Sequence, residues 1–164
     1  MPPTLRLSIL GSIKLRGLPQ AEADRLTAQP KRCALLLYLA LARPRGWHRR
    51  DTLLHLLWPE LDESHARNAL SQALHHLRRV LGADTIEGNG ADLLRLNSDR
   101  LSVDAWEFEQ LASRTAPDTL RLYTAEAARG FHLSGAPEFA QWLDGERHRL
   151  QALAAGAAVS VADA

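Results

Sequence analysis

Leu5, Leu7 and Ile9, followed by Ile13 and Leu15, alternate with other residues on either side of Gly11-Ser12. That alternation predicts a two-stranded hairpin with one buried face. The weakly patterned LPQAEADRLT, residues 18–27, reads as a third short strand before Pro30. From Pro30 to about Arg43 strong helix formers take over, with Pro30 suited to a first turn and RPRG closing the helix. A second helix runs from about Arg49 to Trp58, where Pro59 stops it. In the next stretch Ala66, Leu70, Ala73, Leu74, Leu77, Val80 and Leu81 form a single apolar stripe at helical spacing. Asp62 or Ser64 can cap that third helix, and Gly82 ends it. DTIEG and LLRLN then flank Asn89-Gly90, the signal of a further hairpin. Strands, three helices and a hairpin, in that order, predict a winged helix-turn-helix.

Past Ser98 the pattern changes. RLSVDAWEFEQLAS predicts one more strand and then a helix, PDTLRLYTAEAARG a helix ended by Gly130, and the stretch from Pro137 onward a third. Phe139, Trp142, Leu143, Leu150, Leu153 and Ala157 share one side of that last helix. Helices of this kind hide their apolar faces on neighbours, as in α-solenoids. The expected fold is therefore mainly α with small β-sheets (α+β). Residues 1–98 are expected to form a winged-helix unit, and residues 99–164 a helical hairpin or a fragment of an α-solenoid. Because the last helix lacks obvious partners, a longer parent protein is expected.

The third helix carries the chemistry. Its outer face holds Arg67, Asn68, Ser71, Gln72, His75, Arg78 and Arg79, and no carboxylate occurs between Ser64 and Gly82. A solvated helix usually mixes signs to gain i,i+4 pairs, so amides, a hydroxyl, an imidazole and guanidinium groups together point to an anion. The major groove of DNA admits one helix; Asn68 and Gln72 can pair with adenine and Arg67 with guanine. Base readout is expected from Arg67, Asn68, Ser71, Gln72 and His75, in the half of the helix that enters the groove. Arg78 and Arg79 suit phosphates, as do Lys31, Arg32, Arg49 and Arg50 near the starts of the first two helices. In the wing, Asn89 at the tip and Arg95 on the second strand could reach flanking DNA.

Charge sharpens this reading. The chain has 164 residues and a net charge of +1, but residues 1–98 carry +5 and residues 99–164 carry −4. The two parts are expected to meet different partners. The apolar run CALLLYLALA, residues 33–42, is too short to cross a bilayer, so no membrane role is expected. The single cysteine, Cys33, lies in that run and is assigned to the core, which leaves no internal disulfide and fits a cytoplasmic setting. His65, His75 and His76 have no Cys or carboxylate partner at ligand spacing, and His75 and His76 point about 100° apart on a helix. EGNGAD lacks the lysine of a phosphate loop. Trp47, Trp58, Trp106 and Trp142 are assigned to packing. No catalytic residues, metal or cofactor are expected, and the protein is not read as an enzyme.

The segment from Lys31 to Gly82, with LLWP at 56–59 followed by ARNALSQALHHLRRVLG, resembles the DNA-binding domain of the Streptomyces antibiotic regulatory protein family. VDAWEFEQL and AARGFHLSGAPEFAQWLDGERHRL resemble the start of the bacterial transcriptional activator domain that follows in that family, so the resemblance implies an OmpR-type winged helix over residues 1–98 and a partial, tetratricopeptide-like helical segment over residues 99–164. The resemblance implies a sequence-specific transcriptional regulator, an activator by type, that binds direct repeats in double-stranded DNA as a tandem pair and is a monomer in solution. RNA polymerase, or further domains of a longer chain, would then be the partner of the acidic helices. The alternative is a winged-helix module that docks its basic face on an acidic protein surface.

Overall fold

The computed structural model describes residues 5–163. In chain order it comprises β1 (Leu5–Ser8), β2 (Lys14–Arg16), α1 (Gln20–Thr27), α2 (Pro30–Leu41), β3 (His48–Arg49), α3 (Arg50–Leu57) and α4 (Glu63–Leu81). It continues with β4 (Ile86–Asn89), β5 (Leu93–Leu96), β6 (Leu101–Val103), α5 (Asp104–Ser113), α6 (Thr119–Leu122) and α7 (Pro137–Ala162). The fold is α+β, mainly helical with two small sheets of order β2-β1-β6 and β3-β5-β4.

β1 and β2 pair antiparallel as the N-terminal alternation predicts, with Leu7 opposite Leu15. The third strand expected before Pro30 is instead helix α1. Ala23 and Leu26 are both buried there, and three residues apart they share a helix face but would lie on opposite faces of a strand. α2 is the centre of the molecule: Leu35, Leu36, Leu37 and Leu41 are almost wholly inaccessible. Because eight of its twelve residues are buried, it shows little of the one-sided pattern of a surface helix. α3 and α4 pack on it, and α4 buries Ala66, Leu70, Ala73, Leu74, Leu77 and Leu81. Gly82, at φ +106°, takes the chain out of α4 in a conformation few other residues adopt. β4 and β5 form the antiparallel wing, with Asn89 opposite Leu93, and the two-residue β3 adds an edge that the sequence pattern does not reveal.

The segment after Ser98 packs directly on the winged helix. β6 pairs in parallel with β1, Leu101 beside Leu5 and Val103 beside Leu7, so the first sheet joins strands 96 positions apart in the sequence. At the start of α5 the Asp104 carboxylate accepts hydrogen bonds from the backbone N–H groups of Ile9 (2.8 Å) and Leu10 (3.0 Å). The Trp106 indole donates to the carbonyl of Ala40 in α2 at 2.7 Å. Arg45, before β3, and Arg149 of α7 both bond Glu109 of α5, and Arg149 also bonds Glu146 at 2.8 Å. One apolar core runs from β1 to α7.

The helix expected over residues 117–130 is restricted to Thr119–Leu122. Downstream, the backbone N–H groups of Ala128 and Arg129 donate to the carbonyls of Ile9 and Gly11, at 2.8 and 2.9 Å, rather than to a helix of their own. Thr124 Oγ1 donates to the carbonyl of Leu10. Gly11 makes this docking possible: at φ +124°, a Cβ there would lie 2.7 Å from Thr124 Oγ1. α7 buries Phe139, Leu143, Glu146, Leu150 and Ala154, while Trp142, Leu153 and Ala157 are half-buried. Among the described residues, no helix is long and apolar enough to cross a membrane.

Candidate nucleic-acid interface

α4 is the longest helix of the winged-helix part, and its 19 residues extend about 28 Å. Asp62 caps it: the carboxylate accepts from the His65 backbone N–H at 2.9 Å and meets the His65 ring at 2.7 Å. The backbone N–H of His65 holds the Asp62 carboxyl below its usual range. Burial of the apolar stripe against α2 and α3 fixes the rotation of α4, leaving Asn68, Ser71, Gln72, His75 and Arg79 exposed. Asn68, Gln72, His75 and Arg79 follow one another at intervals of four, three and four residues, a row about 16 Å long.

Arg67 differs from its neighbours. It bonds Glu63, the first residue of α4, at 2.6 Å in an exposed i,i+4 pair. Such a pair is worth only a few tenths of a kcal/mol, little enough to exchange for another anion. The spacing rule that links residues four apart would have revealed Glu63, which lies one position before the carboxylate-free stretch.

Arg67, Ser71 and Arg78 follow the edge of α4 that faces the wing, given its 100° step. Arg78 Nε donates to the carbonyl of Ile86 in β4 at 3.1 Å, and a Cβ built on Gly88 would lie 3.8 Å from Arg78 Nη2. The Gly88 face of the ribbon therefore meets α4. Arg50 joins this corner: its backbone N–H donates to the carbonyl of Asp92 at 2.8 Å. Its Nε is buried without a hydrogen-bond partner among the described residues, and burial, then the neighbouring Arg78, lowers its pKa. Arg50 and Arg78 thus place two guanidinium groups where helix and wing converge. Asn89 is exposed at the ribbon's tip.

Three other sequence-selected cations, Arg95, Lys31 and Arg49, have internal partners. Arg95 lies opposite Glu87 across the ribbon, bonds it at 2.5 Å, and stacks on Trp47 with its guanidinium carbon 4.2 Å from the ring centroid. Strand alternation puts it on the face away from Arg78, beside a groove of about 600 Å³ between the wing and α5. Lys31 bonds the carbonyl of Leu57 at the end of α3, pairs with Glu60 at 3.5 Å and lies over Trp58, so it closes the end of α3. Arg49 is exposed and pairs with Asp51 at 3.6 Å. Arg32, half-buried, faces the opposite edge of α4 near His76. Beneath the wing, burial and then Arg45 lower the pKa of His48, favouring the neutral ring.

Cys33 is buried in α2, and burial pushes its thiol up to about 12. No group of three or more His, Cys, Asp or Glu side chains among the described residues is arranged to hold a metal ion.

These features define a winged-helix protein with a helical segment packed against its N-terminal sheet. No family model matches the chain, and no curated protein matches it. The fold is similar to that of EmbR from Mycobacterium tuberculosis, solved in complex with a low affinity phosphopeptide, at a TM-score of 0.59 and 19% identity. The likeness covers 95% of this chain and 46% of EmbR, so the chain spans less than half the length of that protein.

Proposed function

We propose that the chain is a sequence-specific DNA-binding transcriptional regulator of the Streptomyces antibiotic regulatory protein kind, with α4 in the major groove and the β4–β5 wing on flanking DNA. The observation that carries this reading is the row Asn68, Gln72, His75 and Arg79, exposed together on a helix that has no carboxylate after Glu63. Asn68, Ser71, Gln72 and His75 would read base edges, joined by Arg67 once it exchanges Glu63 for a guanine. Arg50, Arg78 and Arg79 would hold phosphates, while Asn89 would follow the backbone at the ribbon's tip. Arg95 and Lys31 are assigned to maintaining the wing and the end of α3. The acidic helical segment would contact RNA polymerase or further domains, and two molecules would bind head to tail on a direct repeat.

Selection from a random double-stranded DNA library at about 0.15 M salt tests the reading directly, because weak electrostatic binding is already screened there. One enriched motif is expected, repeated in the same orientation about one helical turn apart. Gln72→Ala and Asn68→Ala should alter the preferred sequence, whereas Arg79→Ala should weaken all sequences alike. With about six phosphates neutralised, log affinity should fall against log salt with a slope near −5. No enrichment, with binding confined to low salt, would refute specific readout and favour an acidic protein surface as the partner.

A further inference from the structure

Ten of the 18 arginines lie in ion pairs, and Arg25, Arg32 and Arg79 are among the eight with no carboxylate within salt-bridge distance among the described residues. All three line one concavity of about 410 Å³ between α1, α2 and the last third of α4, together with Glu22, Gln29 and His76. The three cations thus come from three helices, Arg25 and Arg32 from consecutive ones and Arg79 from 47 positions further along the chain. Glu22 offsets one charge. Like charges gathered in this way repel one another unless an anion joins them.

We propose that this pocket is an oxyanion site that takes a phosphate of the DNA backbone flanking the α4 contacts, with Arg25, Arg32, Arg79 and His76 as its ligands. The inference rests on the DNA-binding reading and adds to it a contact from α1, outside the helix-turn-helix and the wing. Arg79 links the two regions, since it stands in the exposed row of α4 and also on the pocket wall. Gln29 can donate an amide N–H to the same anion.

His76 gives the site a pH dependence. The groups that face it are Arg25 and Glu22 from α1, Arg32 from α2, and His75 and Arg79 on its own helix, the His75 ring centroid being 6.0 Å away. Arg32, then partial burial, then Arg79 and His75 hold its pKa below 6.5. A phosphate in the pocket opposes that repulsion and raises the pKa, so affinity rises as pH falls through the raised value.

The test uses the 164-residue chain and two probes, DNA carrying the selected motif and inorganic phosphate. Arg25→Gln should weaken DNA binding roughly threefold to tenfold without changing the preferred sequence, and reduce the magnitude of the salt slope by about one. His76→Gln should flatten the gain in affinity between about pH 7.5 and 5.5 relative to the wild type. The His76 ring, followed by NMR, should titrate at higher pH with either probe present, and this shift should shrink in Arg32→Gln. A wild-type slope in Arg25→Gln, with a His76 titration that neither probe moves, would overturn the site. If inorganic phosphate moves His76 while Arg25→Gln leaves DNA affinity unchanged, the backbone assignment fails and specific DNA binding survives. If the chain binds no DNA while phosphate still moves His76, the DNA reading fails and the oxyanion site stands.

Discussion

Asp104 ties the helical segment to the winged helix, and its removal tests that connection quantitatively. Its two carboxylate oxygens accept from the N–H groups of Ile9 and Leu10, residues exposed by only 0% and 3%. In Asp104→Ala both donors lose their partner. A buried unsatisfied group costs about 1–3 kcal/mol, so two donors give about 2–6 kcal/mol. Relief of the buried charge reduces this, since burial raises the Asp104 pKa despite bonds from Leu10, Ile9 and Ala105. A net loss of about 2–4 kcal/mol is expected. Asp104→Asn keeps one acceptor oxygen in the same volume and should cost about half as much. Urea unfolding followed by circular dichroism at pH 7 measures both variants. The pH dependence supplies a second check. A carboxyl that holds its proton to higher pH in the native state than in the unfolded chain costs stability as pH rises from about 3.8 through the raised value. The wild type should therefore lose stability relative to Asp104→Asn across that window. An Asp104→Ala variant within about 0.5 kcal/mol of wild type, or a difference from Asp104→Asn that does not change with pH, would refute the reasoning.

Further outcomes are expected elsewhere. Glu63→Gln frees Arg67 and removes the one carboxylate of α4, so DNA affinity in an anisotropy titration should rise roughly threefold to tenfold, with a loss of a few tenths of a kcal/mol in stability from the helix N-terminus. Cys33, buried and with its thiol pushed up to about 12, should react with a thiol reagent at pH 8 only as fast as the protein unfolds, as a colorimetric time course with and without urea would reveal. Glu109→Ala leaves Arg45 and Arg149 without their shared acceptor and should lower stability by about 1–2 kcal/mol in the same urea assay, a modest value because all three side chains retain some solvent.

The hairpin at Gly11-Ser12, the helices around Leu35 and Leu74, the Asp62 cap, the Gly82 stop and the wing turn at Asn89-Gly90 could be read from the sequence because each is a local device. Alternation, helical spacing, a capping carboxylate and a turn dipeptide all act within a few residues. The exposed row on α4 follows for the same reason: once the apolar stripe is buried, the opposite face is determined. Tertiary packing decided the rest. α1 is a helix because Ala23 and Leu26 bury one face together, although a ten-residue polar segment gives little local signal. Residues 124–129 are not helical because their hydrogen bonds run to Leu10, Ile9 and Gly11, more than a hundred positions earlier. Arg67, Arg95 and Lys31 look alike as free cations in one dimension. They differ in the fold because Glu63, Glu87 with Trp47, and the Leu57 carbonyl with Glu60 stand within reach of them. The meeting of Arg25, Arg32 and Arg79 likewise depends on how three helices pack, because Coulomb interactions follow distance in space and not position along the chain.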